Sequence, residues 1–356
     1  MGFLGKLFKK EASDNTPRGF FNVKVKAINR LTKDAVEVVF DIPQDLKSTF
    51  QFLPGQYITV CTTISGKEER RSYSICSAQN ADLAIGVKEV QGGKVSTWIN
   101  NSLKVGDSIL ISKPEGRFLL GDAKNVVAIA AGSGITPILS MAASLQSTGG
   151  QMTLLFANKT ENDILFKTQL DALSAVTKRY YLTQDDNCAY KHGRITKESF
   201  VDFIKEDLGV LKADGFFICG PEEMIMGVKA ALEMFGVPAT KIHFELFNPT
   251  AVKEEVKEEA TNFSGVTKLK VILDDEVQTL EIKGNKTILD AAVGADIDAP
   301  YSCRGGVCST CRAKVIKGTV SMKLNYTLTD KEVEEGYILT CQSHATSEEL
   351  TISYDE

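Results

Sequence analysis

The chain has 356 residues, 43% of them hydrophobic and 24% charged, which is too long for one compact core and too ordinary in composition for a disordered, collagen-like or disulfide-scaffold protein. Its longest unbroken apolar run, Val126 to Ala131, falls far below the roughly 18 residues of a membrane helix, so no stable membrane insertion is expected. The formal net charge is -5, and from Gly265 onward fifteen acidic side chains face ten basic ones; the whole negative surplus lies there, which argues against nucleic acid as a partner and for a small acidic module that docks on a basic patch.

Residues 1–6 lack a secretory apolar core, and Lys6 stands where a myristoylation signal needs Ser or Thr. A cytoplasmic protein with a frayed start is expected, the alternative being a short amphipathic membrane contact by Phe3, Leu4, Leu7 and Phe8. Residues 18–120 then read as short alternating strands between turn residues: Phe21 to Asn29, Val36 to Phe40, Gln56 to Thr62, Arg71 to Ile75, Leu83 to Glu89 and Asp107 to Ser112, with one helix near Val95 to Leu103. An antiparallel β-barrel is the economical arrangement of such a set. Within it, Arg71-Ser72-Tyr73-Ser74 combines a guanidinium fork suited to phosphate with an aromatic ring and a hydroxyl. Taken alone, R-x-Y-S reads as a solvated strand. Next come Val87-Lys88 and then Gly93-Lys94-Val95-Ser96, where amides at a Gly-rich helix start form an anion site; the plain alternative is a glycine turn with a Ser cap.

From residue 121 to 248 the rhythm changes to strand, turn, helix. Strands are expected at Val126 to Ala131, Thr153 to Ala157, Arg179 to Leu182 and Gly215 to Cys219, with helices at Ile164 to Ala175 and Glu222 to Phe235, the pattern of an α/β domain on a parallel sheet. The first strand runs into Gly132-Ser133-Gly134-Ile135-Thr136-Pro137, a dinucleotide-type turn in which proline takes the place of the last glycine and suits a first helical turn. Cys219-Gly220-Pro221 ends a later strand. The end of the second strand, where an acidic residue would accept from a ribose hydroxyl, carries Asn158-Lys159-Thr160 instead; Lys159 can bind an extra phosphate, so NADPH is expected, with NADH as the alternative that Glu161 keeps open.

Residues 249–264 are charged and nearly free of core residues, a linker that would span about 20 to 24 Å as a flexible coil. Beyond it, in 265–356, Lys268 to Leu273 and Val277 to Ile282 alternate like a hairpin and Thr287 to Val293 reads as a helix. Cys303, Cys308 and Cys311 follow in C-x4-C-x2-C spacing, and Cys341 comes after twenty-nine intervening residues. This is the spacing of plant-type [2Fe-2S] ferredoxins, with Gly305 and Gly306 letting the backbone wrap close to the cluster sulfurs. A structural zinc site or unrelated buried thiols are the alternatives; zinc sites commonly use two C-x2-C hooks or histidine, and one hook is present. The other thiols, Cys61, Cys76 and Cys188, read as structural.

These motifs together resemble the ferredoxin-NADP reductase superfamily joined to a C-terminal plant-type ferredoxin. The likeness extends over R-x-Y-S, the following G-G-x-x-S, Leu103 to Asp107, Pro114 to Phe118, the Gly132 turn, Cys219-Gly220-Pro221-Glu222, the Tyr301 to Cys311 loop and Leu339 to Gln342. It implies a multidomain protein with a β-barrel flavin domain, a parallel-sheet nucleotide domain and a β-grasp (α+β) ferredoxin. It implies FAD, with FMN in one branch, held by Arg71, Ser72, Val87, Lys88, Gly93 and the amides of Lys94 to Ser96, with Tyr73 and Ser74 flanking the ring. Gly132, Gly134, Gly220 and Pro221 would border the dinucleotide. Thr136 would sit near flavin and nicotinamide, and Cys219 would approach the nicotinamide, though it reads equally as a buried core residue. Glu245 is implied as a residue for proton handling or nicotinamide positioning. Domain order resembles reductases that serve phenylacetyl-CoA epoxidase, with those of aromatic-ring dioxygenases close by, which implies an oxygenase component, di-iron in the first case, as electron acceptor. A redox-sensing binding module is the alternative from another class, without a DNA-binding motif to support it.

Overall fold

The structure, a computed structural model, describes residues 16–185, 189–247, 265–283 and 286–356. The terminal segment containing Phe3, Leu4, Leu7 and Phe8, the expected linker 249–264 and Cys188 lie outside the described residues.

The first domain contains β1 (Phe20–Thr32), β2 (Ala35–Asp41), β3 (Tyr57–Ile64), β4 (Lys67–Ser74), β5 (Ala84–Lys88) and β6 (Ser108–Ser112), with helix α1 (Lys94–Asn101) between the last two strands. They pair antiparallel in the order β4-β3-β6-β1-β2-β5. A bridge between Ile75 and Ile85 joins the two ends of that order and closes the sheet, which removes its free edges. Alternation drives the arrangement: Val23, Val25, Val36, Val38 and Phe40 are buried, whereas Lys24, Lys26 and Asp41 face water. Val95 and Ile99 of α1 enter the same core, so the helix plugs the barrel.

The second domain is a parallel sheet of β7 (Asn125–Ala131), β8 (Gln151–Asn158), β9 (Val176–Leu182), β10 (Lys191–His192), β11 (Gly215–Cys219) and β12 (Ile242–Glu245), covered by α2 (Ile135–Thr148), α3 (Lys167–Ala172), α4 (Lys197–Glu206) and α5 (Glu222–Met234). The strand order is β10-β9-β8-β7-β11-β12, so the direction of strand addition reverses at β7 and a crevice opens at the carboxyl ends of β7 and β11. The helix expected from Ile164 to Ala175 shrinks to α3. Its first turn is lost because Ile164, Leu165 and Phe166 are all buried, and Phe166 adopts a left-handed φ of 58°; tertiary packing overrides helical periodicity there.

One face of this sheet does not form a core of its own. Ala35, Cys76, Ala84, Phe118 and Leu120 of the barrel pack in one cluster with Ile135, Ile138, Met141, Phe156 and Phe166, so the first and second domains share an apolar seam. Gly86 of β5 is part of it, since a Cβ there would lie 2.7 Å from Thr136 and 2.8 Å from the Phe166 ring.

The third domain comprises β13 (Thr267–Leu273), β14 (Glu276–Ile282), α6 (Ile288–Val293), β15 (Arg312–Lys317), β16 (Val320–Met322), α7 (Asp330–Glu334), β17 (Tyr337–Leu339), β18 (Ser343–Ala345) and β19 (Glu349–Ser353). Five strands form a mixed sheet, β14-β13-β19-β15-β17, with β13 and β19 parallel. The sheet grasps α6 through Leu269, Val271, Ile288, Leu289, Leu350 and Ile352, the expected β-grasp arrangement. No helix among the described residues is long and apolar enough to cross a membrane.

Candidate redox site

The three domains meet around a cavity of ≈ 250 Å³. The barrel contributes Tyr57 at the start of β3, the run Arg71 to Ser74 at the end of β4, Gly86 and Lys88 of β5, Val90, and Gly93 to Ser96 at the opening of α1. The nucleotide domain supplies Ser133, Thr136, Glu245, Leu246 and Phe247, and the ferredoxin-like domain supplies Cys303, Val307 and Cys308. Most flavin residues expected from sequence therefore line one space. Val87 is different: its side chain is fully buried in the barrel core and its carbonyl accepts from Asn100 Nδ2 at 3.2 Å, so only its neighbours Gly86 and Lys88 reach the cavity.

One end of the cavity is cationic. Arg71 Nη2 lies 3.2 Å from Glu69 Oε2, and Lys94 pairs with Oε1 of the same carboxylate. Glu69 thereby holds both cations beside the start of α1, where backbone amides and a pair of positive side chains suit a pyrophosphate. The other end is drier. Ser74 is buried and its hydroxyl donates to Glu245 Oε2 at 3.2 Å. Burial pushes the Glu245 carboxyl up to about 7, against the opposing effect of the Ser74 hydrogen bond, so it holds a proton near neutrality. Burial also pushes the Tyr57 hydroxyl and the Tyr73 hydroxyl well above their usual range. A planar ring seated between these residues would find hydroxyl donors, one protonated carboxyl and apolar flanks; the residues fit a flavin.

The nucleotide end adjoins this cavity through Thr136. Gly134 is where glycine is indispensable: a Cβ would meet the Cys219 carbonyl oxygen at 2.1 Å, so the turn can press against the end of β11 only without a side chain. Cys219 is fully buried, in register with Ala130 on one side and Glu245 on the other. Burial, and then the nearby Glu245 charge, push its thiol well up. Neither Gly132, Gly134, Cys219, Gly220 nor Pro221 lines the flavin cavity; they build the crevice behind it, with Pro221 at the N-cap of α5. Lys159 is exposed at the end of β8. Its neighbour Asn158 is buried, and neither Nδ2 nor Oδ1 has a hydrogen-bond partner among the described residues. An orphaned amide at the carboxyl end of a parallel strand fits a polar ligand such as a dinucleotide.

The four cysteines expected at the cluster come together as two pairs. Cys303 is paired with Cys308, and Cys311 with Cys341. The Cys308 thiol donates to Cys303, and backbone amides of Gly305, Val307 and Cys308 also point at it, which lowers Cys303 to about 6 in spite of burial. The Gly305 amide is 3.3 Å from its sulfur. Cys341 is likewise lowered, first by the thiol of Cys311. No three His, Cys, Asp or Glu side chains among the described residues converge about a single point; two thiols on each of two positions is the donor set a two-iron cluster requires, so the residues fit that group. Arg304 and Ser309 take φ near 54°, and Gly306 takes 75°, as the loop wraps inward.

Sequence reasoning gave no role to Tyr57. Its hydroxyl donates to the Cys308 carbonyl at 2.5 Å and lies 3.0 Å from Thr310 Oγ1, a contact across 251 residues that no local pattern announces. Gly86 and Asn158 were equally silent as functional residues, although each stands beside one that was singled out.

A β-barrel with a helix opening on Gly93, a parallel sheet with a Gly-rich turn and a β-grasp cysteine loop define a modular pyridine-nucleotide reductase. Family models match all three parts: an oxidoreductase FAD-binding domain over residues 22–119, an oxidoreductase NAD-binding domain over 128–230 and a 2Fe-2S iron-sulfur cluster binding domain over 271–346. The chain is 32% identical to one of the subunits of 1,2-phenylacetyl-CoA epoxidase of Escherichia coli, over 94% of this chain and 98% of that one. It is 30% identical to the ferredoxin reductase component of 3-ketosteroid-9-alpha-monooxygenase of Mycobacterium tuberculosis, over 97% and 99% of the two chains. Phthalate dioxygenase reductase shares the fold with a TM-score of 0.61 and 24% identity, covering 94% of this chain and 98% of that one. The chain belongs to the ferredoxin-NADP reductase superfamily, in the branch with a C-terminal [2Fe-2S] ferredoxin domain, and is an oxidoreductase with FAD-binding, NAD-binding and 2Fe-2S domains.

Glu245 generates a pH prediction. Its carboxyl moves from 4.5 to about 7 on folding, so the native state binds that proton more tightly than the unfolded chain and stability falls as pH rises between about 4.5 and about 7. Glu245→Gln removes the titration: its thermal midpoint is expected to fall by a few degrees less than wild type across that window, as read by calorimetry at closely spaced pH values.

Proposed function

We propose that this protein is the NADPH-dependent reductase component of phenylacetyl-CoA epoxidase, a di-iron oxygenase that receives electrons one at a time from its cluster. The observation that carries the reading is the shared wall: the cysteine loop and the flavin residues border one cavity, with Cys303 and Cys308 in the lining. Domain borders at 18–120, 121–248 and 265–356, with a tether over 249–264, accord with that division of labour. The free cysteines among the described residues fit a reducing, cytoplasmic compartment.

When bound, the nicotinamide supplies electrons as a pair, the flavin holds them, and the cluster carries them singly. The chain's own residues bind and orient these groups. Arg71 and Lys94 would neutralise the flavin phosphates, with the amides of Val95 and Ser96 completing the cradle. Tyr73 would cover one face of the ring, with Ser72 and Ser74 at its edge, since all three line the cavity. Thr136 closes the cavity from the nucleotide side, where the notch at Gly86 lets it approach. Glu245 keeps a proton beside Ser74 and excludes water with Leu246 and Phe247. Cys303, Cys308, Cys311 and Cys341 would hold the cluster, and Tyr57 fixes the Cys308 peptide against the barrel.

For the nucleotide, Glu161 is engaged: it accepts from Tyr190 Oη at 2.7 Å and lies 3.8 Å from Lys167. The exposed cation at Lys159 then offers its charge to a ribose phosphate, which supports NADPH. The 3-ketosteroid and aromatic-ring systems remain the rival acceptors, since the oxygenase's final substrate touches no residue of this chain.

Three outcomes are expected. Purified holoenzyme should consume NADPH several-fold faster when the oxygenase subunits of phenylacetyl-CoA epoxidase and phenylacetyl-CoA are added, as read at the NADPH absorbance; equal rates with a ring dioxygenase would favour the rival. Cys308→Ala should leave flavin reduction by NADPH within about twofold and reduce cytochrome c reduction at least about a hundredfold, because removing a cluster ligand interrupts only the later steps. Lys159→Ala should raise the KM for NADPH about tenfold, the worth of one charge-assisted hydrogen bond, with little effect on the KM for NADH.

A further inference from the structure

The two interfaces made by the flavin domain differ in kind. Its seam with the nucleotide domain is apolar and continuous with a core. The contact with the ferredoxin domain is polar instead: Ser72 Oγ and Ser302 Oγ are 2.6 Å apart, Tyr57 reaches the Cys308 carbonyl, and Arg117 is 2.6 Å from Glu332. No apolar cluster among the described residues joins barrel and ferredoxin cores. Polar interfaces of this sort come apart more readily than apolar ones.

Within that contact, one charge is buried. The Arg70 side chain is 5% exposed and is held from both domains. From its own domain, Glu68 Oε1 accepts from Nε at 2.6 Å and the Phe20 ring lies 4.9 Å from the guanidinium carbon. From the ferredoxin domain, Asp298 Oδ1 accepts from Nη2 at 3.1 Å and the Tyr301 ring lies 4.5 Å away. Asp298 Oδ2 also accepts the Arg18 backbone amide at 2.7 Å. Exposed ion pairs such as Arg117–Glu332 contribute little, whereas a guanidinium removed from water between two rings and two carboxylates gives up one ring and one carboxylate when the domains part, keeping only Glu68 and Phe20. Arg is also, with Trp and Tyr, one of the residue types enriched at interface hot spots.

We infer that Arg70 is the clamp that docks the ferredoxin domain onto the flavin domain, a positioning residue that sets how often the cluster loop closes the flavin cavity. It stands one residue before Arg71 on β4, so its side chain turns to the opposite face of the strand, away from the phosphates and toward the Asp298–Tyr301 segment that leads into the cluster loop. The clamp is reversible because its ferredoxin-side partners are a carboxylate and an aromatic ring whose places water takes when the domains part, while Glu68 and Phe20 stay with the guanidinium. The inference rests on the functional reading above for its consequence and on the interface alone for its existence.

The test uses full-length holoenzyme with Asp298→Arg, a half-exposed site on the ferredoxin side that spares the barrel, and Asp298→Glu as the conservative rescue. Asp298→Arg should raise hydrogen exchange at the Arg18 amide and across residues 297–302 about tenfold or more, and should enlarge the radius of gyration in solution scattering. Flavin reduction by NADPH should stay within about twofold in rapid mixing, while cluster reduction slows about tenfold. Asp298→Glu should restore both. Unchanged exchange and scattering with unchanged cluster reduction would overturn the clamp, as would equal slowing of both electron-transfer steps. Exchange and scattering judge the clamp without reference to electron carriers; a wild-type flavin that NADPH leaves oxidised would instead sink the functional reading.

Discussion

Tyr57 begins β3 at the barrel mouth, and its hydroxyl donates to the carbonyl of Cys308. Everything that makes the molecule a conductor depends on that kind of contact, because electrons cross protein only where carriers stand close and the carriers here would be held by separate domains. A hydrogen bond to the backbone of a thiolate residue fixes the loop without consuming the sulfur, which stays available to the cluster. Burial of the phenol keeps it protonated across the physiological range, so the donor persists whatever the redox state of its surroundings.

The molecule joins its parts with two strengths of attachment. Barrel and nucleotide sheet are fused by Phe118, Phe166, Ile138 and their neighbours, an arrangement suited to a site that must keep nicotinamide and flavin in one geometry through every turnover. The ferredoxin meets this unit through hydroxyls, carboxylates and Arg70, with Val307 and Tyr326 as its apolar touch on the nucleotide domain. Rigid union is found where the same two partners always react, and looser union where one partner must also meet an outside protein.

Much of this was legible in the chain. The cysteine spacing, the Arg71 to Ser74 run and the Gly132 turn stood out because each is a local pattern, with its residues a few positions apart, and the structure brings Arg71 to Ser74 and the cysteine loop to one cavity. Barrel strands were visible for the same reason: Val36, Val38 and Phe40 are buried at every second position, with the less buried Glu37 and Val39 between them. The helix at Ile164 failed because three consecutive apolar residues read as periodic when they are in fact drawn into a seam with another domain. Tyr57, Arg70 and Asn158 carried no signal at all. Their meaning lies in partners two hundred residues away, or in the lack of a partner inside a fold, and neither is written in neighbouring letters.

β12 has a further consequence. It is the last strand of the nucleotide domain, yet Glu245 and the two residues after it roof the cavity whose floor comes from the barrel. An isolated barrel would present half a pocket, open to water on the side where the ring needs shelter. Shelter for the ring is thereby tied to completion of a neighbour about 130 residues downstream of the barrel's own final strand, roughly the length of a typical domain.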